Sequence, residues 1–136
     1  LQHMLPRKYG RIIAMSSVEG KLSKPTIAHY SSNKHAINGL VKVAAHESGA
    51  DGITVNAILP GIVLTDMFYE TGPATVEAMQ LEGGLDALAA VYASGSAIQR
   101  PNTVEEVAAV ALLLARDEAH NISGCLFPVD GGTMPY

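Results

Sequence analysis

A tyrosine and a lysine four residues apart are the feature of this sequence most suited to chemistry. Tyr30 and Lys34 stand at the two ends of the segment Y-S-S-N-K. On a helix, residues four apart lie on the same face, so the phenol and the ammonium become neighbours. A phenol, with an unperturbed pKa of about 10, is a poor acid or base near neutrality, but a nearby cation favours the phenolate. The pair predicts proton transfer, although the spacing alone favours a surface tyrosine stacked under a lysine.

A serine upstream of this pair strengthens the prediction. The run from Gly10 to Ser17 (G-R-I-I-A-M-S-S) is typical of a buried parallel strand, and Ser17 stands at its carboxyl end. Open α/β sheets place their ligand crevice at that end. A hydroxyl there could hydrogen-bond a substrate oxygen and stabilise the charge that develops on it. The alternative is that Ser16 and Ser17 are only turn residues, and without Tyr30 and Lys34 it would be the better interpretation.

A Pro-Gly turn closes the next strand at the same edge. Residues 53–59 form a second β-prone apolar run, which ends at Pro60 and Gly61. Gly61 would let the backbone approach a flat ligand closely. A Pro-Gly pair by itself is usually only a turn, but three features at one edge favour a site.

Strands and helices alternate along the chain. We predict strands over 10–17, 53–59 and 125–129, a helix over 28–47, short helices near 74–82 and 85–93, and a helix with a capping box from Thr103 to Leu114. In the longest helix the stripe expected to face the core is Ile37, Leu40, Val41, Ala44 and Ala45. This order predicts the α/β class, with a parallel sheet of about three strands and covering helices on both faces. Such a small sheet either dimerises or continues a sheet formed by other residues.

The composition argues against several functional classes. The 136 residues carry a formal net charge of −4 with scattered lysines and arginines, so we expect no nucleic-acid partner. No apolar run reaches the ~18 residues that cross a bilayer, and no histidine pair has zinc-site spacing, so we expect neither a membrane segment nor a metal. The one cysteine, Cys125, fits a reducing compartment and should be a small buried residue of the last strand. We therefore predict a cytoplasmic protein.

Three motifs follow one another between Gly10 and Gly132: S-x12-Y-x3-K, N-x3-P-G-x-V-x-T and a closing V-D-G-G. In this order they resemble the pattern of the short-chain dehydrogenase/reductase family. The resemblance implies a Rossmann-type, doubly wound parallel sheet. It also implies an NAD- or NADP-dependent oxidoreductase that interconverts a secondary alcohol and a ketone. In that family pattern Ser17, Tyr30 and Lys34 are catalytic. Tyr30 would donate or accept the proton, and Lys34 would assist it and contact the nicotinamide ribose.

The same resemblance implies the remaining contacts. The cofactor would lie against Tyr30, Lys34, Pro60, Gly61, Val63 and Thr65, and the substrate against Ser17, Val18, Met67 and Phe68. Residues 66–98 correspond to the family's substrate-binding flap, and their methionines and aromatic residues suit an apolar substrate. Packing of two short helices onto the sheet explains those side chains equally well. Family members are usually dimers or tetramers, so we expect a homodimer or homotetramer formed through the helix after Tyr30.

The sequence departs from the family pattern in what precedes the serine strand. It contains no G-x-G-x-x-G or T-G-x-x-x-G turn to hold a pyrophosphate, and it lacks the family's fourth catalytic residue, an asparagine. We therefore expect residues 1–136 to be a single partial domain, the C-terminal catalytic and substrate-binding half, without the dinucleotide-binding half. The alternative is an inactive scaffold that only self-associates or binds a partner.

Overall fold

Three parallel strands form the centre of the fold. The computed structural model describes residues 1–134, in which β1 (Gly10–Met15), β2 (Ile53–Pro60) and β3 (Leu126–Val129) lie side by side in that order. Each neighbouring pair is parallel. The carboxyl ends of the strands therefore meet at one edge of the sheet.

Within residues 1–134, four α-helices connect and cover these strands. They are α1 (Ala28–Ser48), α2 (Asp66–Met79), α3 (Gly84–Ser94) and α4 (Val104–Ala115). The first helix joins β1 to β2, and the other three lie between β2 and β3. Parallel strands require such crossovers, because the chain must return to the same end of the sheet before each new strand. The predicted α/β class and the order of the elements are confirmed.

The central strand β2 is buried on both of its faces. Its odd-numbered residues share a core cluster with α1, formed in part by Val41, Ala45, Val55, Ala57 and Leu59. Side chains alternate between the two faces of a strand, so its even-numbered residues face the other side, where they are also buried: Thr54, Asn56 and Ile58. Helix α4 packs against all three strands, and it accounts for the cover on that second face.

The core-facing side of α1 differs from the predicted stripe at one position. Leu40 is 67% exposed, whereas its neighbour Val41 is 2% exposed. A helix turns by about 100° per residue, so Leu40 lies roughly 160° around the axis from the buried Asn38 and therefore on the opposite side of α1. The core position is taken by Asn38, which is 5% exposed. The prediction that Leu40 faces the core was wrong.

Helix α2 begins at Asp66, well before the predicted start near residue 74, and Pro73 lies inside it. A proline disfavours helical backbone in the preceding residue partly by a clash with that residue's Cβ, and Gly72 has none. A Cβ added to Gly72 would also lie 2.5 Å from Leu85 Cδ2. The same glycine therefore allows Pro73 to continue the helix and allows α2 to approach α3.

The last helix begins as predicted. Thr103 Oγ1 accepts a hydrogen bond from the Glu106 N–H at 3.2 Å, and Glu106 Oε2 accepts one from the Thr103 N–H at 2.8 Å. These reciprocal bonds form the expected capping box of α4.

The prediction for Cys125 was wrong, because its side chain is exposed. Cys125 precedes β3, which is an edge strand of the sheet. Its backbone N–H donates to Asn56 Oδ1 at 3.1 Å, while its Sγ lies at the surface, 3.5 Å from the Ser123 carbonyl oxygen. The backbone is thus fixed to the sheet, and the thiol is not part of the core.

Candidate active site

A cleft of about 430 Å³ lies at the carboxyl edge of the sheet. It is lined by every residue that the sequence predicted for catalysis or for contact with cofactor and substrate: Ser17, Val18, Tyr30, Lys34, Pro60, Gly61, Val63, Thr65, Met67 and Phe68. The structure therefore brings all the predicted site residues together, and their individual roles stay predictions.

Ser17 follows β1 and begins a short 3₁₀ turn. Its Oγ accepts a hydrogen bond from the Glu19 N–H at 3.1 Å and so caps the turn Val18–Gly20. The side chain lines the cleft although the residue is only 7% exposed. A hydroxyl that accepts one bond keeps its O–H for donation to another group. Ser17 can therefore be a turn residue and a donor to a ligand oxygen at the same time.

Tyr30 and Lys34 project from the first turns of α1. The Lys34 Nζ lies 5.4 Å from the centre of the Tyr30 ring and donates a hydrogen bond to the Met15 carbonyl at 3.0 Å. Burial lowers the pKa of Lys34 from its ordinary value, because the charged ammonium loses hydration. The contact with Met15 holds the ammonium between the end of β1 and the tyrosine.

Two polar residues fix α1 to the turn at Ser17: Asn38, which sequence reasoning missed, and Ser16, which it named only as a turn residue. Asn38 Nδ2 donates to the Gly20 carbonyl at 2.9 Å, and Ser16 Oγ donates to the Lys34 carbonyl at 3.3 Å. A Cβ on Gly20 would lie 2.5 Å from Asn38 Nδ2 and 2.9 Å from the Lys34 oxygen, so a glycine is required there. The four-residue spacing from Tyr30 to Lys34 continues to Asn38, and that spacing was the available signal.

The lining that follows β2 is held in place by Asn102. Its Nδ2 donates to the carbonyl oxygens of Val129 at 2.8 Å and Ile62 at 3.3 Å. A Cβ on Gly61 would lie 3.1 Å from both Asn102 Nδ2 and Asp130 Cα. The glycine is therefore needed for contact with the neighbouring chain segments, in addition to any ligand. Thr65 precedes α2 and its hydroxyl forms no capping bond, so it remains free to face the cleft.

A charged group interrupts the apolar lining of the cleft. Glu19 Oε1 lies 3.3 Å from Lys24 Nζ, and that ammonium lies 4.1 Å from the centre of the Tyr92 ring on α3. Burial, and to a lesser extent the Glu19 carboxylate, raise the pKa of Tyr92. Sequence reasoning placed Tyr92 only within the flap of residues 66–98 and missed Glu19 and Lys24, because no spacing rule connects the turn at Ser17 with a helix so far along the chain.

Comparison with known proteins identifies the family. A family model described as enoyl-(acyl carrier protein) reductase matches residues 1–134. This chain belongs to the short-chain dehydrogenase/reductase family. The resemblance predicted from the ordered motifs is thereby confirmed.

Relatives of this dehydrogenase/reductase chain share its sequence and its fold. It is 38% identical over 131 residues to the short-chain reductase protein NovJ of Streptomyces niveus, covering 96% of this chain and 47% of NovJ. It is 36% identical over 129 residues to D-beta-hydroxybutyrate dehydrogenase of Rhizobium meliloti, covering 95% and 50%. A solved structure of an actinorhodin polyketide ketoreductase variant with NADPH superposes with a TM-score of 0.89 at 29% identity, covering 98% of this chain and 50% of that one. The chain spans about half the length of these relatives.

The superposition confirms the Rossmann-like fold of this family member. Within residues 1–134, no helix has the length and apolar character needed to span a membrane. In the same part of the chain, no three His, Cys, Asp or Glu side chains converge in the manner of a metal site.

Proposed function

We propose that this chain forms the catalytic and substrate-binding half of an NAD- or NADP-dependent oxidoreductase that interconverts a secondary alcohol and a ketone. The observation that carries the proposal is the convergence of Ser17, Tyr30 and Lys34 in one cleft at the carboxyl edge of a parallel sheet. Family membership supports the oxidoreductase class. The names of the relatives, a hydroxybutyrate dehydrogenase and a ketoreductase, support the alcohol–ketone chemistry.

Tyr30 is the proton-transfer group of this proposal. In reduction its phenol protonates the ketone oxygen as that oxygen gains negative charge, and in oxidation the phenolate accepts the proton of the alcohol. The Lys34 ammonium, 5.4 Å from the ring centre, stabilises the negative charge left on the phenolate. The Ser17 hydroxyl donates a hydrogen bond to the same substrate oxygen.

The cofactor side of the cleft suits a flat ring attached to a hydroxylated sugar. A nicotinamide group would be held by the residues named for that role: Tyr30, Lys34, Pro60, Gly61, Val63 and Thr65. They combine an ammonium group and hydroxyls with apolar surface in one continuous lining. When bound, nicotinamide supplies or accepts the hydride. No glycine-rich phosphate turn occurs in the 136 residues, so in this proposal other residues bind the diphosphate.

The substrate side is shaped by α2 and α3. Phe68 is 9% exposed and Leu88 is 1% exposed, and both line the cleft beside Met67. These side chains favour a substrate with an apolar body. They act as the substrate-binding surface in this proposal, while Ser17 and Val18 contact the reacting end.

Exposed apolar residues on α1 favour self-association. Leu40 is 67% exposed and Val43 is 54% exposed on this helix, whereas apolar groups on a helix are usually turned to a core. A homodimer or homotetramer formed through this face belongs to the proposal. It is also the observation that favours the second candidate, an inactive scaffold that only self-associates.

The decisive test substitutes the proposed acid. Introduced into the protein as it occurs naturally, the Tyr30→Phe substitution should lower kcat for oxidation of secondary alcohols by about 100-fold or more, because the proton acceptor is removed. The measurement is the formation of NADH or NADPH. Tyr9→Phe is the matched control, since Tyr9 lies outside the cleft and its hydroxyl bonds Asp117 at 2.8 Å. A Tyr30→Phe protein with the wild-type kcat would overturn the proposal, and absence of both turnover and nicotinamide binding in the wild type would favour the scaffold.

A further inference from the structure

Glu19 is a buried acid in the cleft wall with one oxygen left unpaired. Its side chain is 7% exposed, and its Oε1 pairs with Lys24 at 3.3 Å. Its Oε2 is buried and has no hydrogen-bond partner among residues 1–134. A buried carboxylate oxygen without a donor is unfavourable, because it has lost water without gaining a replacement bond. The structure therefore presents an acceptor that lacks its donor.

The neighbouring groups do not supply that donor. Lys24 Nζ lies against Oε1 on one side and against the Tyr92 ring, 4.1 Å from its centre, on another. Burial raises the pKa of Tyr92, so its phenol stays neutral, and it forms no hydrogen bond with Glu19 Oε2. All three side chains line the cleft. Within residues 1–134 Glu19 Oε2 therefore lacks a donor, and a ligand in the cleft would supply one.

The position of Glu19 relative to the reacting centre is fixed by the backbone. Glu19 belongs to the turn Val18–Gly20, and its own N–H donates to Ser17 Oγ at 3.1 Å. The Gly20 carbonyl of the same turn is bonded to Asn38 on α1. The backbone of Glu19 is therefore fixed with respect to Ser17 and to α1, the helix that carries Tyr30.

We propose that Glu19 selects substrates that carry a hydrogen-bond donor, a hydroxyl or an ammonium group, on the part of the molecule away from the reacting carbon. The inference rests on the proposed function, which places the reacting carbon beside Ser17 and Tyr30. The surrounding lining is mostly apolar, with Val18, Phe68 and Leu88. The substrate class is thus an alcohol or ketone with an apolar body and one polar donor.

Because Glu19 Oε2 is unpaired, the site should discriminate strongly against substrate analogues that lack the hydrogen-bond donor. An apolar pocket discriminates weakly between ligands that differ by one methylene group. A pocket with a buried acceptor instead rejects a ligand that lacks the matching donor. A donor that bonds a carboxylate forms a charge-assisted bond, which is about twice as strong as a neutral one. Ammonium ligands should therefore bind best, hydroxyl ligands next and methyl ligands least.

A series of secondary alcohols of increasing length tests the inference. The probes run from 4-aminobutan-2-ol to 7-aminoheptan-2-ol, with the corresponding diols and the corresponding methyl-terminated alkan-2-ols. Dissociation constants are measured from the NMR shifts of the backbone amides of the protein. At the optimal length, the amino alcohol should bind at least about 10-fold more tightly than its methyl counterpart, as expected for a charge-assisted hydrogen bond.

Two substitutions at the carboxylate provide the matched comparison. Glu19→Gln keeps the size of the side chain and removes its charge. It should therefore weaken the binding of the amino alcohol about 10-fold and leave the affinity for the methyl-terminated alcohol unchanged. Glu70→Gln removes the same charge from the exposed surface of α2 and should change neither constant. Lys24→Met should have the opposite effect and tighten binding of the amino alcohol, because the ligand ammonium at Oε2 is no longer repelled by the Lys24 ammonium at Oε1. This variant keeps the test decisive if Glu19→Gln does not fold.

The outcomes separate this inference from the proposed function. Equal affinities for all three ligand types, in the wild type and in Glu19→Gln alike, would overturn the inference. The proposed function would survive that result if the alcohols still shift the amides of Ser17 and Tyr30. If no alcohol shifts those amides, both are overturned. An amino-alcohol preference that persists in Glu19→Gln would also reject Glu19 as its source.

Discussion

The two walls of the cleft are built in different ways. The wall formed by β1, α1 and β2 carries Ser17, Tyr30 and Lys34, and hydrogen bonds from Asn38 and Ser16 join its parts. The wall formed by α2 and α3 carries the apolar side chains of the substrate side, and these two helices contact each other more than they contact the sheet. Groups that need fixed geometry lie on the sheet, and groups that define the shape of the cleft lie on a separate layer.

Burial follows the same division. Seven consecutive residues of β2, from Ile53 to Leu59, are buried, whereas in α2 only Phe68 and Gly72 are buried. Segments with few buried contacts open locally at a lower free energy than the core of a sheet. We therefore expect the α2–α3 pair to open without unfolding the catalytic wall. Three sets of substitutions test this difference, in order of expected effect.

The largest effect on stability is expected at Asn56, in the central strand β2. Its Nδ2 donates to the Ile122 carbonyl at 2.7 Å, and its Oδ1 accepts from the Cys125 N–H at 3.1 Å. Asn56→Ala leaves both backbone groups without their partner and should lower the free energy of unfolding by about 3 kcal/mol. Urea denaturation followed by circular dichroism measures this change. The exposed Asn33 of α1 is the control, and Asn33→Ala should change stability by less than about 0.5 kcal/mol.

A pair of glycine-to-alanine substitutions should have smaller effects of opposite sign. Gly39→Ala on α1 meets no atom within 4 Å, so the better helix propensity of alanine should raise stability by about 0.5–1 kcal/mol. Gly72→Ala on α2 places a Cβ against Leu85 and restricts the residue before Pro73, so it should be destabilising.

Hydrogen exchange distinguishes a local from a global effect of Gly72→Ala. Amides of α2 and α3 should exchange faster, while those of β2 keep their wild-type protection. Equal acceleration in β2 would contradict the proposed independence of the two layers. An increase in stability for Gly72→Ala would show that Leu85 moves away without penalty.

The smallest effect on stability is expected at Glu106, in the first turn of α4. Hydrogen bonds from the Arg100 guanidinium and from the Thr103 N–H lower the pKa of Glu106 to about 2, from an ordinary value of 4.5. Because the pKa is lower in the folded state, this stabilisation is fully present above about pH 4.5 and is lost as the pH falls towards 2. Glu106→Gln keeps the acceptor for Thr103 but loses the charge opposite Arg100.

The pH dependence of the difference between the two proteins is the measurement. The urea midpoint of Glu106→Gln should lie slightly below that of the wild type at pH 7, and the gap should close between about pH 4.5 and pH 2. A gap that stays constant over this range would show that the charge of Glu106 does not stabilise the fold.

The ordered motifs were sufficient to predict the class of fold, the order of the elements and the residues that meet at the cleft. Strand ends in a parallel sheet share one edge, and helical residues four apart share one face, so Ser17, Tyr30 and Gly61 could be brought together from the sequence alone. The capping box of α4 was equally predictable, because its two bonds join Thr103 and Glu106, which are only three residues apart in the sequence.

Features that depend on contacts between distant segments were decided by the tertiary structure. The exposure of Leu40 and of Cys125 depends on which neighbours cover each surface, and no periodicity specifies those neighbours. The continuation of α2 through Pro73 depends on Gly72, which both precedes the proline and packs against Leu85. The meeting of Glu19 with Tyr92 required α3 to fold back over the serine turn. Local spacing determines which side chains share a face, but only packing determines which faces meet.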